Sequence, residues 1–205
     1  MVFHDFRSQT ASLLHSIQTH LEGTLPAFLA PSMQILHAEY SRISGYLPPE
    51  LLRDMQNLRS VSFAGTPLSG SLPTELASPW LTRLAFAGSS LSGTLPTQLG
   101  MAKGLTLVDL SDTLISGTLP SELFPLSGAS LRTLNVLGTR LSGMIPTSFA
   151  TMGSLRHLYV PRGLTQPLRR KFCREELRLP VSHNYFWDLA AATNPRSDGP
   201  VRPLL

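Results

Sequence analysis

The chain has 205 residues, of which 42% are apolar and 15% are charged, and its formal net charge is +4. This length fits one domain, or one domain with a tail, and the composition is apolar enough for a folded core. The single cysteine, Cys173, excludes an internal disulfide, and no run of about 18 apolar residues predicts a membrane-spanning helix.

Residues 1–20 are predicted to form an N-terminal helical cap. Within residues 8–21, Leu14, Ile17 and Leu21 recur at the spacing of one helical face. Terminal elements of this kind shield the apolar end of a core, so we expect this cap to cover the first unit of the fold.

Residues 21–172 contain a motif that occurs six times. The copies are LEGTLP (21–26), ISGYLP (43–48), LSGSLP (68–73), LSGTLP (91–96), ISGTLP (115–120) and LSGMIP (141–146). Their glycines recur at a nearly constant interval, at Gly23, Gly45, Gly70, Gly93, Gly117 and Gly143. A period in the twenties is typical of a solenoid.

A second apolar block precedes the glycine motif and predicts a short strand. In the fourth copy it comprises Leu81, Leu84 and Phe86, of which the last two alternate as in a half-buried strand. A degenerate seventh copy begins at Leu155 and ends at Phe172. Terminal repeats are often atypical because they must close the core against water.

The frame L-x-x-L-x-L-x-x-x-x-L-x-G-x-[LI]-P-x-x-L resembles the plant-type leucine-rich repeat. The resemblance implies an α/β repeat fold, a curved right-handed leucine-rich-repeat solenoid with short parallel strands on its concave face. We expect about seven turns between N- and C-terminal caps. On the other wall, the proline that follows each glycine should prevent a long helix, because proline fixes an extended segment and offers no donor.

One departure from that family concerns an asparagine that lies before the glycine motif. In the family it bonds backbone groups of neighbouring turns, and a hydroxyl could do part of this work. Here the position holds Ser41, Thr66, Ser89, Thr113 and Thr139. Repeats with threonine in place of asparagine are similar to those of trypanosomatid surface antigens, which are generally secreted and lipid-anchored.

The C-terminal segments are interpreted as a cap and a tail. Residues 173–193 are rich in large apolar groups and are predicted to form the C-terminal cap. Residues 194–205 contain three prolines and no apolar period, which predicts a flexible tail.

The strand residues that alternate with the buried ones are predicted to face outwards on the concave face. One predicted row comprises His37, Ser62, Ala85, Asp109, Asn135 and Tyr159. Its centre is small and its ends are polar and aromatic, which suits a protein partner. The candidate partner-binding residues are His37, Glu39, Tyr40, Arg83, Asp109, Asn135, His157, Tyr159 and Arg162. The alternative is that small residues merely fit a tightly curved sheet.

A second candidate surface is a basic edge at the last turn and the cap. Its residues are Arg169, Arg170, Lys171 and Arg174. Clustered cations can bind phosphate or an acidic partner. The alternative is a solvated edge that keeps the end of the sheet from pairing with another chain.

The sequence contains no motif that indicates catalysis, such as a metal-binding H-E-x-x-H, a phosphate loop or a G-x-S-x-G elbow. We therefore predict no enzyme, no metal and no cofactor. The leading interpretation is a non-catalytic protein–protein interaction module or scaffold that binds a protein partner on its concave face. The alternatives are a cell-surface or secreted antigen-like repeat protein, which includes a fragment of a longer one, or a structural subunit of a larger assembly. Nucleic acid is only a minor alternative partner, and we expect a monomer or a member of a complex.

The sequence favours a cytoplasmic location. The N-terminal stretch contains Asp5 and Arg7 and no continuous apolar run, so it is a poor secretory signal. The lone cysteine and the lack of any Asn-x-Ser/Thr acceptor point in the same direction. The cell surface is the alternative.

Overall fold

The computed structural model describes residues 12–15, 21–123, 130–165 and 185–188. In chain order, the strands are β1 (Leu13–His15), β2 (Glu22–Thr24), β3 (Ile35–His37), β4 (Arg42–Tyr46), β5 (Ser60–Ser62), β6 (Leu68–Ser71), β7 (Arg83–Ala85), β8 (Ser90–Ser92), β9 (Leu107–Asp109), β10 (Ser116–Gly117), β11 (Thr133–Asn135), β12 (Arg140–Leu141), β13 (Gly143–Met144), β14 (His157–Val160), β15 (Leu164–Thr165) and β16 (Tyr185–Asp188). The helices are α1 (Pro49–Asp54) and short 3₁₀ helices at Thr74–Leu76, Thr97–Met101, Ser121–Leu123 and Thr147–Thr151.

The main sheet takes one short strand from each turn of the chain. Within the described ranges it has eight strands, in the order β1-β3-β5-β7-β9-β11-β14-β16. Neighbours from β1 to β14 run parallel, and β16 pairs antiparallel with β14. Each turn returns the chain beside the strand of the turn before it, which is the stacking that a repeat in the twenties produces.

The inward side of the main sheet is the centre of the core. Leu36, Val61, Leu84, Val108 and Leu134 are successive Cα partners across the strands, and none of them is more than 2% exposed. All five belong to one contiguous apolar cluster. Full burial of such a side chain contributes roughly 1.5–3 kcal/mol, so the stacked turns stabilise each other through this ladder.

The glycine motif forms a second wall, where its segments pair as β2-β4-β6-β8, β10-β12 and β13-β15. Gly117 has φ +87°, and a Cβ there would lie 3.0 Å from Cγ2 of Thr94 in the preceding turn. Only glycine accepts both this backbone and this close approach. Pro120 then directly precedes the 3₁₀ helix Ser121–Leu123. In the described residues the longest helix has six residues, which agrees with the prediction that this wall contains no long helix.

Four of the five hydroxyl residues in the asparagine position hydrogen-bond within their own turn, and the hydroxyl of the fifth, Ser89, has no partner among the described residues. Ser41, Thr66, Thr113 and Thr139 each donate to the carbonyl three residues earlier, at 2.7–2.8 Å. These bonds close the bend that follows each main-sheet strand. The family resemblance implies that this position bonds backbone groups of neighbouring turns, but these four bonds stay within one turn.

On the second wall, four serines that directly precede a motif glycine form hydrogen bonds between turns. The hydroxyl of Ser69 donates to the Gly45 carbonyl of the preceding turn at 3.0 Å. Ser44, Ser92 and Ser116 make the equivalent bond to the preceding glycine carbonyl at 3.3–3.4 Å. These serines therefore link successive turns on the second wall, and the Thr165 hydroxyl makes the same kind of bond to the Gly143 carbonyl at 3.0 Å.

The N-terminal end departs from the prediction. Leu13–His15 form β1, parallel to β3, with Leu14 as the Cα partner of Leu36. The helical cap predicted over residues 1–20 is therefore wrong at these positions. Leu14 and Leu36 are one repeat period apart, so pairing with the edge of β3 outweighs the local helical spacing. Residues 1–11 and 16–20 lie outside the described residues.

At the other end, β16 pairs with the edge of β14 and so satisfies its outer backbone groups. This strand lies within residues 173–193, for which a C-terminal cap is predicted. The rest of that range and the tail predicted at 194–205 lie outside the described residues, so both stay predictions.

Candidate functional site

The outward positions of the main sheet form rows that run across the strands. The pairing register makes successive Cα partners of His37, Ser62, Ala85, Asp109, Asn135 and Tyr159. A neighbouring row, two residues earlier in each strand, comprises Ile35, Ser60, Arg83, Leu107, Thr133 and His157. We call the surface that carries both rows the main-sheet face; it is the concave face of the prediction.

Two polar side chains at the N-terminal end of the main-sheet face reach over the next strand. His37 Nε2 lies 2.7 Å from Ser60 Oγ, and the Ser62 hydroxyl donates to Glu39 Oε1. Both serines are buried. The small residues of β5 thus leave room for the histidine and glutamate side chains of the preceding turn, and these two candidate residues lie together.

Tyr40 is the most exposed aromatic side chain at this end, with 63% of its surface open to solvent. Its φ is +56°, in the left-handed region that bulky residues rarely adopt. The ring lies over Gly65 of the next turn, where a Cβ would be 2.5 Å from Tyr40 Cδ1. Strained residues cluster at functional sites, which makes Tyr40 a candidate contact residue.

Two candidate residues in the centre of the face also form hydrogen bonds within their own strand ends. Asp109 Oδ1 accepts hydrogen bonds from the Ser111 backbone N–H at 3.1 Å and from its hydroxyl at 2.7 Å. Asn135 Oδ1 accepts from the Leu137 N–H at 3.2 Å. Each side chain therefore caps the end of its own strand, while the residue as a whole stays half-exposed. Arg83 is exposed beside them.

The C-terminal end of the main-sheet face is aromatic. The rings of His157 and Tyr159 stack with centroids 6.5 Å apart and planes at 26°. Arg162 is exposed just after β14. Five strand spacings of about 4.8 Å separate β3 from β14, so this end lies about 24 Å from His37. The candidate residues thus form two clusters along one surface rather than one pocket.

The basic edge predicted at Arg169, Arg170, Lys171 and Arg174 lies outside the described residues and stays a prediction.

Several exposed residues where the main-sheet strands begin are not among the predicted site residues. Trp80 is 59% exposed, and Arg59, Arg132 and Arg156 are exposed immediately before β5, β11 and β14. The signal was present in the repeat, because these arginines share one position of the frame. The predicted outward rows contain only residues that alternate within the strands, and these arginines precede the strands.

A shallow groove of about 740 Å³ opens on the second wall. Its walls are Thr94, Leu95 and Thr97, Gly117–Glu122 and Met144–Thr147. Its lining residues are mainly threonines, prolines and apolar residues such as Leu95, Leu119 and Ile145, and Glu122 is the one titratable residue among them.

The described part of the chain holds no group of three or more histidine, cysteine, aspartate or glutamate side chains that could bind a metal ion. No helix in these ranges is long and apolar enough to cross a membrane.

Solved structures with a similar fold include plant receptors. The Arabidopsis receptor kinase HAESA, solved with the peptide hormone IDA and the co-receptor SERK1, is 25% identical with a TM-score of 0.71. That match covers 78% of this chain and 27% of the receptor chain. The plant peptide hormone receptor RGFR1, in complex with RGF2, is 26% identical with a TM-score of 0.68, over 75% of this chain and 24% of its own.

A third similar structure is the leucine-rich-repeat ectodomain of the Arabidopsis thaliana membrane receptor kinase GASSHO1/SCHENGEN3 in complex with CASPARIAN STRIP INTEGRITY FACTOR 2. It is 26% identical with a TM-score of 0.60, over 72% of this chain and 17% of its own. This chain therefore spans about a quarter or less of these three receptor chains. No protein-family model and no curated protein matches the sequence.

The narrower likeness to trypanosomatid surface-antigen repeats stays a prediction. The cytoplasmic location favoured from the sequence gains no support from these structures. The repeat frame, the stacked parallel strands and these likenesses agree on one fold: the chain has a leucine-rich-repeat solenoid fold that is similar to the fold of these plant receptors.

Proposed function

We propose that the chain is a non-catalytic protein-interaction module that binds a protein or peptide partner along its main-sheet face. The observation that carries this proposal is the row from His37 to Tyr159, in which polar and aromatic side chains share one register across successive strands. It is supported by the similar receptors, which were solved with peptide hormones bound.

The composition of the face favours an extended partner. Its centre is low, because Ala85 and Ser62 are small and buried, whereas the residues at both ends are larger. An elongated segment that lies along the solenoid would contact Tyr40 at one end and Tyr159 at the other. Aromatic side chains contribute much of the energy at protein interfaces, so these two are the expected anchors.

A second proposal concerns location. We propose the cell surface in place of the cytoplasm, because the similar structure from GASSHO1/SCHENGEN3 is an ectodomain. Labelling of intact cells with a membrane-impermeant reagent tests this: the chain should be labelled without permeabilisation. Labelling only after permeabilisation would contradict it.

The test of the binding proposal is affinity purification from the native cell with three forms of the chain. The first is the wild type, and the second is Asp109→Arg/Tyr159→Ala on the main-sheet face. The third is a matched control, Glu122→Arg/Tyr46→Ala, which makes the same chemical changes at exposed sites on the second wall. We expect a partner that wild type and control retain and the second form loses.

Retention of every partner by Asp109→Arg/Tyr159→Ala would contradict binding on the main-sheet face. Asp109→Arg also removes the acceptor of two hydrogen bonds from Ser111, so its folding has to be checked by circular dichroism. Asp109→Asn keeps an oxygen for the Ser111 N–H and removes only the charge. Combined with Tyr159→Ala, it gives a milder form that still tests the surface.

A further inference from the structure

A line of arginines runs along the edge where the main-sheet strands begin. The position just before each strand is occupied by Gln34, Arg59, Thr82, Thr106, Arg132 and Arg156. Each of the last five donates its backbone N–H to the carbonyl of the one before it, at 2.7–2.8 Å. We call these six residues, together with Arg83 next to Thr82, the leading-edge row. The continuous hydrogen bonding holds this row in fixed spacing.

Threonine hydroxyls reinforce the centre of the leading-edge row. Thr82 Oγ1 donates to the Arg59 carbonyl at 2.8 Å, and Thr106 Oγ1 donates to the Thr82 carbonyl at 2.9 Å. The backbone there is tied twice to the preceding turn. The side chains that project from it therefore start from a rigid base, which reduces the entropy lost when they bind.

Arg59, Arg83, Arg132 and Arg156 are all exposed. Among the described residues, no carboxylate forms an ion pair with any of these four guanidinium groups. Arg53, by contrast, lies 4.0 Å from Glu75 on the other wall. A row of like charges that no described carboxylate pairs with favours an anionic ligand and repels a cationic one.

The length of the row defines the size of a ligand. Arg59 and Arg156 are separated by four strand spacings of about 4.8 Å, or about 19 Å. An extended chain advances about 3.3 Å per residue, so about six residues span the row. Trp80 is exposed three residues before Arg83 and offers an apolar contact next to the line of charges.

We propose that the leading-edge row binds an extended acidic peptide segment of the partner, with the arginines paired to its carboxylates. This proposal rests on the protein-binding function proposed above and adds the chemistry of the partner. Arginine suits the task because its planar guanidinium pairs with a carboxylate through two hydrogen bonds. Glu39 and Asp109 lie further along the strands, outside the leading-edge row, where they would contact other parts of the partner.

The test uses a fluorescent peptide of about ten residues in which glutamate alternates with threonine, which keeps it extended and acidic. Binding is measured by fluorescence anisotropy to the full chain and to Arg132→Gln/Arg156→Gln. The matched control, Arg42→Gln/Arg140→Gln, removes the same charge from two exposed arginines on the second wall, at the starts of β4 and β12. We expect the leading-edge variant to weaken binding at least about tenfold and the control less than about twofold.

Equal weakening in both variants would overturn the proposal, because it would show a response to net charge alone. The same variants are also tested with single-stranded RNA and with vesicles that contain phosphatidylserine. The proposal would also be overturned if the wild-type chain binds RNA or vesicles but not the acidic peptide, and the leading-edge variant loses that RNA or vesicle binding.

The cellular partner separates this proposal from the function on which it rests. Loss of the partner by Asp109→Arg/Tyr159→Ala with full retention by Arg132→Gln/Arg156→Gln would refute the leading-edge site alone. Retention by both variants would refute the proposed main-sheet function. Loss in both, with retention by the Arg42→Gln/Arg140→Gln control, supports the two proposals together.

Discussion

Substitution of Gly65 and Gly88 by alanine separates the cost of backbone strain from the cost of a steric collision. The two glycines occupy the same position of successive turns, with φ of +67° and +68°. A Cβ at Gly65 would lie 2.5 Å from Tyr40 Cδ1, whereas a Cβ at Gly88 would have no heavy atom closer than 3.9 Å. Left-handed backbone costs alanine about 1–2 kcal/mol at both sites. The collision with the Tyr40 ring adds about 1–3 kcal/mol at Gly65 alone.

Thermal unfolding followed by circular dichroism measures this difference. For a chain of this size, 1 kcal/mol shifts the midpoint by about 2–4 °C. We expect Gly88→Ala to lower the midpoint by about 2–8 °C, and Gly65→Ala to lower it by at least about 2–4 °C more. In a Tyr40→Ala background the two glycine variants should become equal, because the collision is gone. Equal midpoints in the wild-type background would show that the Tyr40 ring opposes no side chain at Gly65, either because it lies elsewhere or because it moves aside without cost, and would refute the reasoning.

Three further predictions concern stability. Leu95→Ala and Leu119→Ala should each reduce the free energy of unfolding by about 2–5 kcal/mol, since both leucines are only 4% exposed; little change in either denaturation midpoint would show that the inward register is wrong. Ser41→Ala should reduce the free energy of unfolding by about 1 kcal/mol because it removes a buried hydrogen bond, whereas Ser89→Ala should leave it unchanged because Ser89 Oγ is buried without a partner among the described residues. Urea unfolding compares the two variants, and an equal loss of stability would contradict this difference in hydrogen bonding. Ser69→Ala should cost about 0.5–1 kcal/mol by loss of the bond to the preceding glycine carbonyl, and amide hydrogen exchange should show faster opening there; unchanged exchange would count against the link between turns.

Much of the fold follows from the spacing of the sequence. Because the motif glycines recur at a near-constant interval, each turn has nearly the same length, and equivalent positions of successive turns lie side by side. The buried partnership of Leu36, Val61 and Leu84 is a direct consequence. The outward row from His37 to Tyr159 follows in the same way, because side chains alternate along a strand.

Some features of the candidate surface could not be read from local sequence. The apolar residues around Leu13–His15 have the spacing of a helix, so the local sequence does not predict a strand there. The extended conformation depends on hydrogen bonds to β3. The position of the Tyr40 ring depends on a glycine in the next turn, since any side chain at Gly65 would displace it. Asp109 is recognisable as an exposed carboxylate, but its bonds to Ser111 appear only once the strand end is built.

The sequence by itself determined the solenoid, because the period fixes the stacking and the leucines fix which side is buried. It also determined that glycine must hold the tight corner of each turn. Only the tertiary structure decided which hydroxyls bridge turns and which stay within one, and that Arg59, Arg132 and Arg156 share one edge in continuous register. The physical reason is that these relations join residues in different turns of the chain, and such distances in space are set by how one turn packs on the next.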